Sequence, residues 1–108
     1  MPQSMAPAEL FRLLANGHSL TLLDVRQPWE HELAALPGSL LIPLPELPKR
    51  MHELAHANQD CCVVYCHHGV RSWQAARILE ANGWSGVYSL TGGIDAWSMQ
   101  VDPLMPRY

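Results

Sequence analysis

"CCVVYCHHGVRSWQAARILEANG", residues 61–83, is the stretch on which the reading of this chain turns. Cys61 to Cys66 are thiol, β-branched and aromatic residues, apolar on both parities, as in a strand buried on both faces. From Ser72 to Gly83 the pattern is helical, with Ser72 near the N-cap and Gly83 at the C′ position. His67, His68, Gly69, Val70 and Arg71 form the loop between them. A thiol at such a corner has two readings: a reactive sulfur held over backbone amides, or a buried cysteine that ends a strand.

Strand and helix alternate on either side of this unit. "PAELFRLLANG" places Leu10, Leu13 and Leu14 at helical spacing, with Pro7 in the first turn and Gly17 at the stop. "LTLLDV", residues 20–25, reads as a buried strand. "PWEHELAAL" is helical from Pro28 until Pro37-Gly38, and residues 39–44 are a second strand cut short by Pro43 and Pro45. In "PELPKRMHELAHAN", Leu47, Met51 and Leu54 mark the apolar face of a further helix. "GVYSLTGG" is a last strand and "GIDAWSM" a short closing helix, followed by an irregular, proline-punctuated tail over 99–108. This alternation predicts an α/β fold: one domain over 1–108 with its core at about 5–98, built on a short, mainly parallel sheet flanked by helices. Chemistry in such sheets gathers at the carboxyl ends of strands, where Cys66 and the pair Asp24 and Arg26 fall.

The totals narrow the function classes. With 108 residues, 48% hydrophobic and 16% charged, the chain is of globular type, with length for one core. A formal charge of -3 gives no reason to expect nucleic acid or an anionic membrane as partner. The absence of a signal-peptide pattern and of a long apolar run gives the expectation of a cytoplasmic chain. Three cysteines within six residues are no disulfide framework and fit a reducing compartment.

A loop curled around Cys66 would aim its amides, and those of the first helical turn, at the sulfur, because they have no intrahelical partners. The helix adds roughly half a positive charge at that end. Thiols so placed can titrate as low as about 3.5–7.5, against an ordinary value of about 8.5. Arg71 and partly protonated His67 and His68 would push the same way, and Gly69 supplies dihedral freedom. "CHHGVR" resembles the active-site loop of the rhodanese family of single-domain sulfurtransferases. "LLDVRQPWEHELAALPGSLLIPL" and "LTGGIDAW" resemble further segments of that family, so the likeness spans roughly residues 5–98.

The resemblance implies a rhodanese-like fold and a persulfide mechanism. The Cys66 thiolate would take sulfane sulfur from thiosulfate or a related donor. A cellular thiol, or cyanide in vitro, would then remove it, with no metal and no organic cofactor. The loop amides of His67 to Arg71 would form the cradle, Arg71 and the histidines steering the donor. A second implied role is a sulfur-relay module charged by a partner protein. Tyrosine phosphatases and the cell-cycle phosphatases that share the fold place five residues between cysteine and arginine. Here there are four, a tighter ring that suits one sulfur atom. Histidines stand where family members efficient with thiosulfate tend to carry fixed cations, so turnover of a dianionic donor is expected to improve toward pH 6.

Other signals have plainer readings. "HELAH", residues 52–56, matches the H-E-x-x-H zinc pattern, but its histidines lie off the apolar face and no third histidine follows at the required spacing. A surface helix is expected. Cys61 and Cys62, pointing to opposite faces, are expected as buried hydrophobes rather than metal ligands. Asp24 is expected to accept backbone N–H groups in its turn, and Arg26 to pair with Glu30 or Glu32. Both remain supporting candidates for the site. Trp29, Trp73, Trp84 and Trp97 are read as packing residues. Arg71 is read either as a scaffold or as a contact for an incoming anion.

Overall fold

Apolar residues on both parities of one short run need a covering layer on each side of the sheet, and the chain supplies two. In the computed structural model, which describes residues 2–57 and 60–108, five strands form one parallel sheet. They are β1 (Gln3–Met5), β2 (Thr21–Asp24), β3 (Leu40–Leu41), β4 (Cys62–Tyr65) and β5 (Val87–Leu90), in the order β1-β5-β4-β2-β3. The strand singled out by the sequence, β4, is the central one. All four of its side chains are fully buried. Burying each of its two valines contributes on the order of 1.5–3 kcal/mol.

The pleat sorts those side chains. Cys62, Val64 and, just past the strand, Cys66 face a cluster containing Ala75, Ala76 and Leu79 of helix α4 (Val70–Ala81), together with Leu47 and Leu54. Val63 and Tyr65 face the other cluster. That cluster holds Leu10 of α1 (Pro7–Ala15) and Ile94 and Trp97 of α5 (Gly93–Gln100). Two further short helices, α2 (Pro28–Leu33) and α3 (Leu47–Arg50), complete the fold.

Several expected boundaries shift. β1 has no counterpart in the sequence reading, because in "QSM" only Met5 is buried and no alternation marks an edge strand this short. The helix after the loop begins at Val70 rather than at Ser72. Gly69 precedes it at φ 113, a conformation open to glycine, so Ser72 sits inside the first turn. β3 is only two residues long. The expected helix over "PELPKRMHELAHAN" is broken into 3-10 turn (Leu44–Glu46), α3 and 3-10 turn (Met51–Leu54), as Pro45 and Pro48 interrupt it. Asn58, at its end, lies outside the described residues. Among the described residues no helix is long and apolar enough to cross a membrane.

Candidate active site

The ends of β2, β4 and β5 share one edge of the sheet, where Cys66 Sγ lies against the N-terminus of α4. The Gly69 N–H donates to it at 3.0 Å and the Ser72 N–H at 3.4 Å. Gly69 belongs to the expected loop; Ser72 does not, and joins because the helix starts early. The loop carbonyls point the other way. Cys66 O accepts from the Ile94 N–H at 2.9 Å and His67 O from the Asp95 N–H at 3.2 Å. The amides at the start of α5, which have no partners within their own helix, thus hold the carbonyls outward, and this leaves the loop amides facing the sulfur. Gly93 makes this close approach possible: it has φ +62, and a Cβ there would collide with the backbone of Cys66 and His67.

Cys66 is 1% exposed, so the groups packed around its loop matter. His67 is stacked between His68 and Tyr108, each ring centroid 3.9 Å from its own. Its Nε2 is buried without a hydrogen-bond partner among the described residues. Burial pushes the His67 imidazole below its usual value and neighbouring His68 adds to this, so the ring stays neutral near pH 7. His68 is exposed, with Nδ1 3.9 Å from Asp95 Oδ2. Val70 stands in solvent at the mouth of a cleft shared with Gly69, Trp73, Arg77 and Ser89.

Arg71 is half-buried and committed to an ion pair. Its guanidinium holds Glu30 through two contacts, at 2.7 and 3.0 Å. This corrects the expected pairing of Arg26 with Glu30 or Glu32. Arg26 is fully buried and grips Asp24 at 2.8 and 2.7 Å, while its Nη1 donates to Tyr108 Oη at 2.8 Å. Asp24 accepts the Arg26 N–H at 3.0 Å, as its turn role requires. Tyr108 Oη in turn donates to Glu30 Oε2 at 2.6 Å. Burial opposes the Glu30 charge, but hydrogen bonds from Arg71, Tyr108 and the Gln27 N–H outweigh it and pull the carboxyl down to about 2. Asp24 and Arg26 therefore brace the site and do not touch the sulfur.

The tail is part of this construction. Tyr108, in the segment read as irregular, bridges Arg26 and Glu30 and covers His67. No periodicity in "VDPLMPRY" could have flagged it. Trp29, read as a packing residue, is 59% exposed and meets the Tyr108 ring edge-on at 5.7 Å. Of the other thiols, Cys62 is buried as expected, and burial pushes it up to about 12. Cys61 is only half-buried, because it lies just outside the strand. At the H-E-x-x-H match, Glu53 holds Arg50 at 2.6 and 2.8 Å on an exposed 3-10 turn.

Residues 6–100 match the family described as Rhodanese-like domain, and the chain belongs to it. It is 38% identical over 94 residues to Rhodanese-like/PpiC domain-containing protein 12, chloroplastic, of Arabidopsis thaliana, covering 81% of this chain and 30% of that protein. It is 35% identical to a sulfurtransferase of Allochromatium vinosum, with 89% and 88% covered. A putative sulfur carrier protein of Bacillus subtilis, YrkF, is 40% identical, with 77% and 44% covered. This chain thus spans about a third or less of the length of several relatives it matches. Among solved structures, a rhodanese-related protein from Thermoplasma volcanium superposes with a TM-score of 0.79 at 30% identity, covering 92% of this chain and 93% of that one. The human single-domain sulfurtransferase TSTD1 gives 0.76 at 28%, with 93% and 98% covered.

Proposed function

We propose that the chain is a sulfurtransferase that carries sulfane sulfur on Cys66. The Cys66 thiolate attacks the outer sulfur of thiosulfate or a related donor. The sulfur–sulfur bond breaks, the leaving group (sulfite, for thiosulfate) departs with the bonding pair, and Cys66 is left as a persulfide anion. A thiol acceptor, or cyanide in vitro, then attacks the terminal sulfur and releases the thiolate. One observation carries this reading: Sγ accepts two backbone amides at the start of a twelve-residue helix. Preorganised donors of this kind stabilise a large, diffuse anion without a metal. The covalent intermediate divides the transfer into two easier steps.

A second reading is favoured by the cations around the site. Arg71 is committed to Glu30, and His67 is neutral. Neither of these two loop groups is then a free cation for a dianion such as thiosulfate, which favours a relay in which a partner protein delivers the persulfide. One experiment separates the two. Thiosulfate:cyanide turnover that is strong in the parent and lost in Cys66→Ala supports the free-standing enzyme. Weak turnover, with intact-mass gain of one sulfur atom from a persulfide-loaded cysteine desulfurase, supports the relay. No sulfur gained from either source would overturn both.

A further inference from the structure

Below the amides that reach Cys66 lies a pair of hydroxyls that the persulfide reading does not use. Ser72 Oγ is 3.5 Å from Cys66 Sγ, 3.0 Å from Gly69 O and 2.7 Å from Ser89 Oγ. Ser72 comes from the first turn of α4 and Ser89 from β5, and both are buried. A hydroxyl has one proton and two acceptor lone pairs, so these three contacts constrain one another.

Take the uncharged thiol first. Its S–H donates to Ser72 Oγ, Ser72 donates to Gly69 O, and each group is satisfied. Once the thiol has lost its proton to solvent, the contact at 3.5 Å has no hydrogen on the sulfur side. It becomes favourable only if the Ser72 hydroxyl turns to donate to sulfur. Two features make that turn inexpensive. Gly69 O keeps the Trp73 N–H, at 3.2 Å, and is not orphaned. Ser72 Oγ keeps an acceptor role toward Ser89, provided the Ser89 proton points at it. Burial excludes bulk water as a substitute for that proton.

We infer that Ser72 is a switchable third donor to the ionised sulfur, and that Ser89 is the positioning residue that holds it in its donating orientation. Ser72 touches the reacting atom; Ser89 acts only through Ser72. The same rotation serves the thiolate before sulfur is taken up and the thiolate released after it is handed on. The two amides are fixed donors that face the sulfur in either protonation state. The hydroxyl alone changes sign from acceptor to donor. The inference rests on Cys66 as the reactive sulfur, but its test does not depend on sulfur transfer.

The test is the pH dependence of Cys66 alkylation by iodoacetamide in the full chain, resolved from Cys61 and Cys62 by fragment-ion mass spectrometry. Ser72→Ala and Ser89→Ala each remove one oxygen and add no volume. Ser72→Ala is expected to raise the pH midpoint of alkylation by about one unit, a roughly tenfold loss of rate below the midpoint. Ser89→Ala is expected to raise it by a smaller amount in the parent and by nothing in the Ser72→Ala background. An unmoved midpoint in Ser72→Ala would overturn the inference. So would a Ser89→Ala shift of equal size in both backgrounds, the mark of a general packing effect. If alkylation behaves as expected while no donor charges Cys66, the hydroxyl switch stands and the sulfurtransferase reading fails.

Discussion

Gly93 shows how one missing side chain shapes chemistry in a neighbouring loop. Its φ of +62 and the nearness of the Cys66 and His67 backbone leave no room for a Cβ. That closeness lets the first amides of α5 hold the loop carbonyls outward. Gly93→Ala is expected to cost about 1–3 kcal/mol from backbone conformation alone, read by thermal unfolding. Displacement of the loop should also slow sulfur transfer; full activity in this variant would show that α5 does not orient the loop. The motif "LTGGIDAW" was legible as a family likeness, but the task of its second glycine was not, since Gly93 meets residues some 26 positions earlier.

Helix α2 and the start of α4 are tied by Glu30 and Arg71, two short elements whose own propensities fix little about where they sit. The pair is bidentate and partly buried, the geometry in which an Arg–carboxylate contact is strong. The Glu30 carboxyl is held below its usual 4.5, at about 2. A lowered folded-state value means that the stabilisation is fully present above about pH 4.5 and is lost as pH falls toward 2. Stability measured by denaturant unfolding should decline across that window, and Glu30→Gln should flatten the decline while lowering stability near pH 7. An unchanged acid limb in Glu30→Gln would show that the pair does not link α2 to the loop.

The bridge through Tyr108 joins the end of β2, helix α2, the loop and the tail into one connected network beside the Cys66 loop. Tyr108→Phe retains the ring over His67 but leaves Arg26 Nη1 and Glu30 Oε2 each short of a partner. A loss of roughly 1–3 kcal/mol is expected in denaturant unfolding. Tyr108→Ala removes the stack as well. Cys66 should then be alkylated faster than in Tyr108→Phe, because the ring shielding His67 and the loop is gone. Equal rates in the two variants would mean that the aromatic cover does not govern access.

What the amino-acid order determined by itself was the local grammar: a strand buried on both faces, a thiol at its carboxyl end, and a helix beginning within a few residues. Those features depend on neighbours only a few positions apart, so periodicity and turn residues record them. The tertiary structure alone decided who meets whom. Arg71 finds Glu30 across 41 residues, Tyr108 finds Glu30 across 78, and Ser72 finds Ser89 across 17. Each of these partners is chosen by the order β1-β5-β4-β2-β3, which brings distant strand ends to one edge of the sheet. A charged or hydroxyl side chain has several chemically equivalent partners in the sequence, and only packing selects among them.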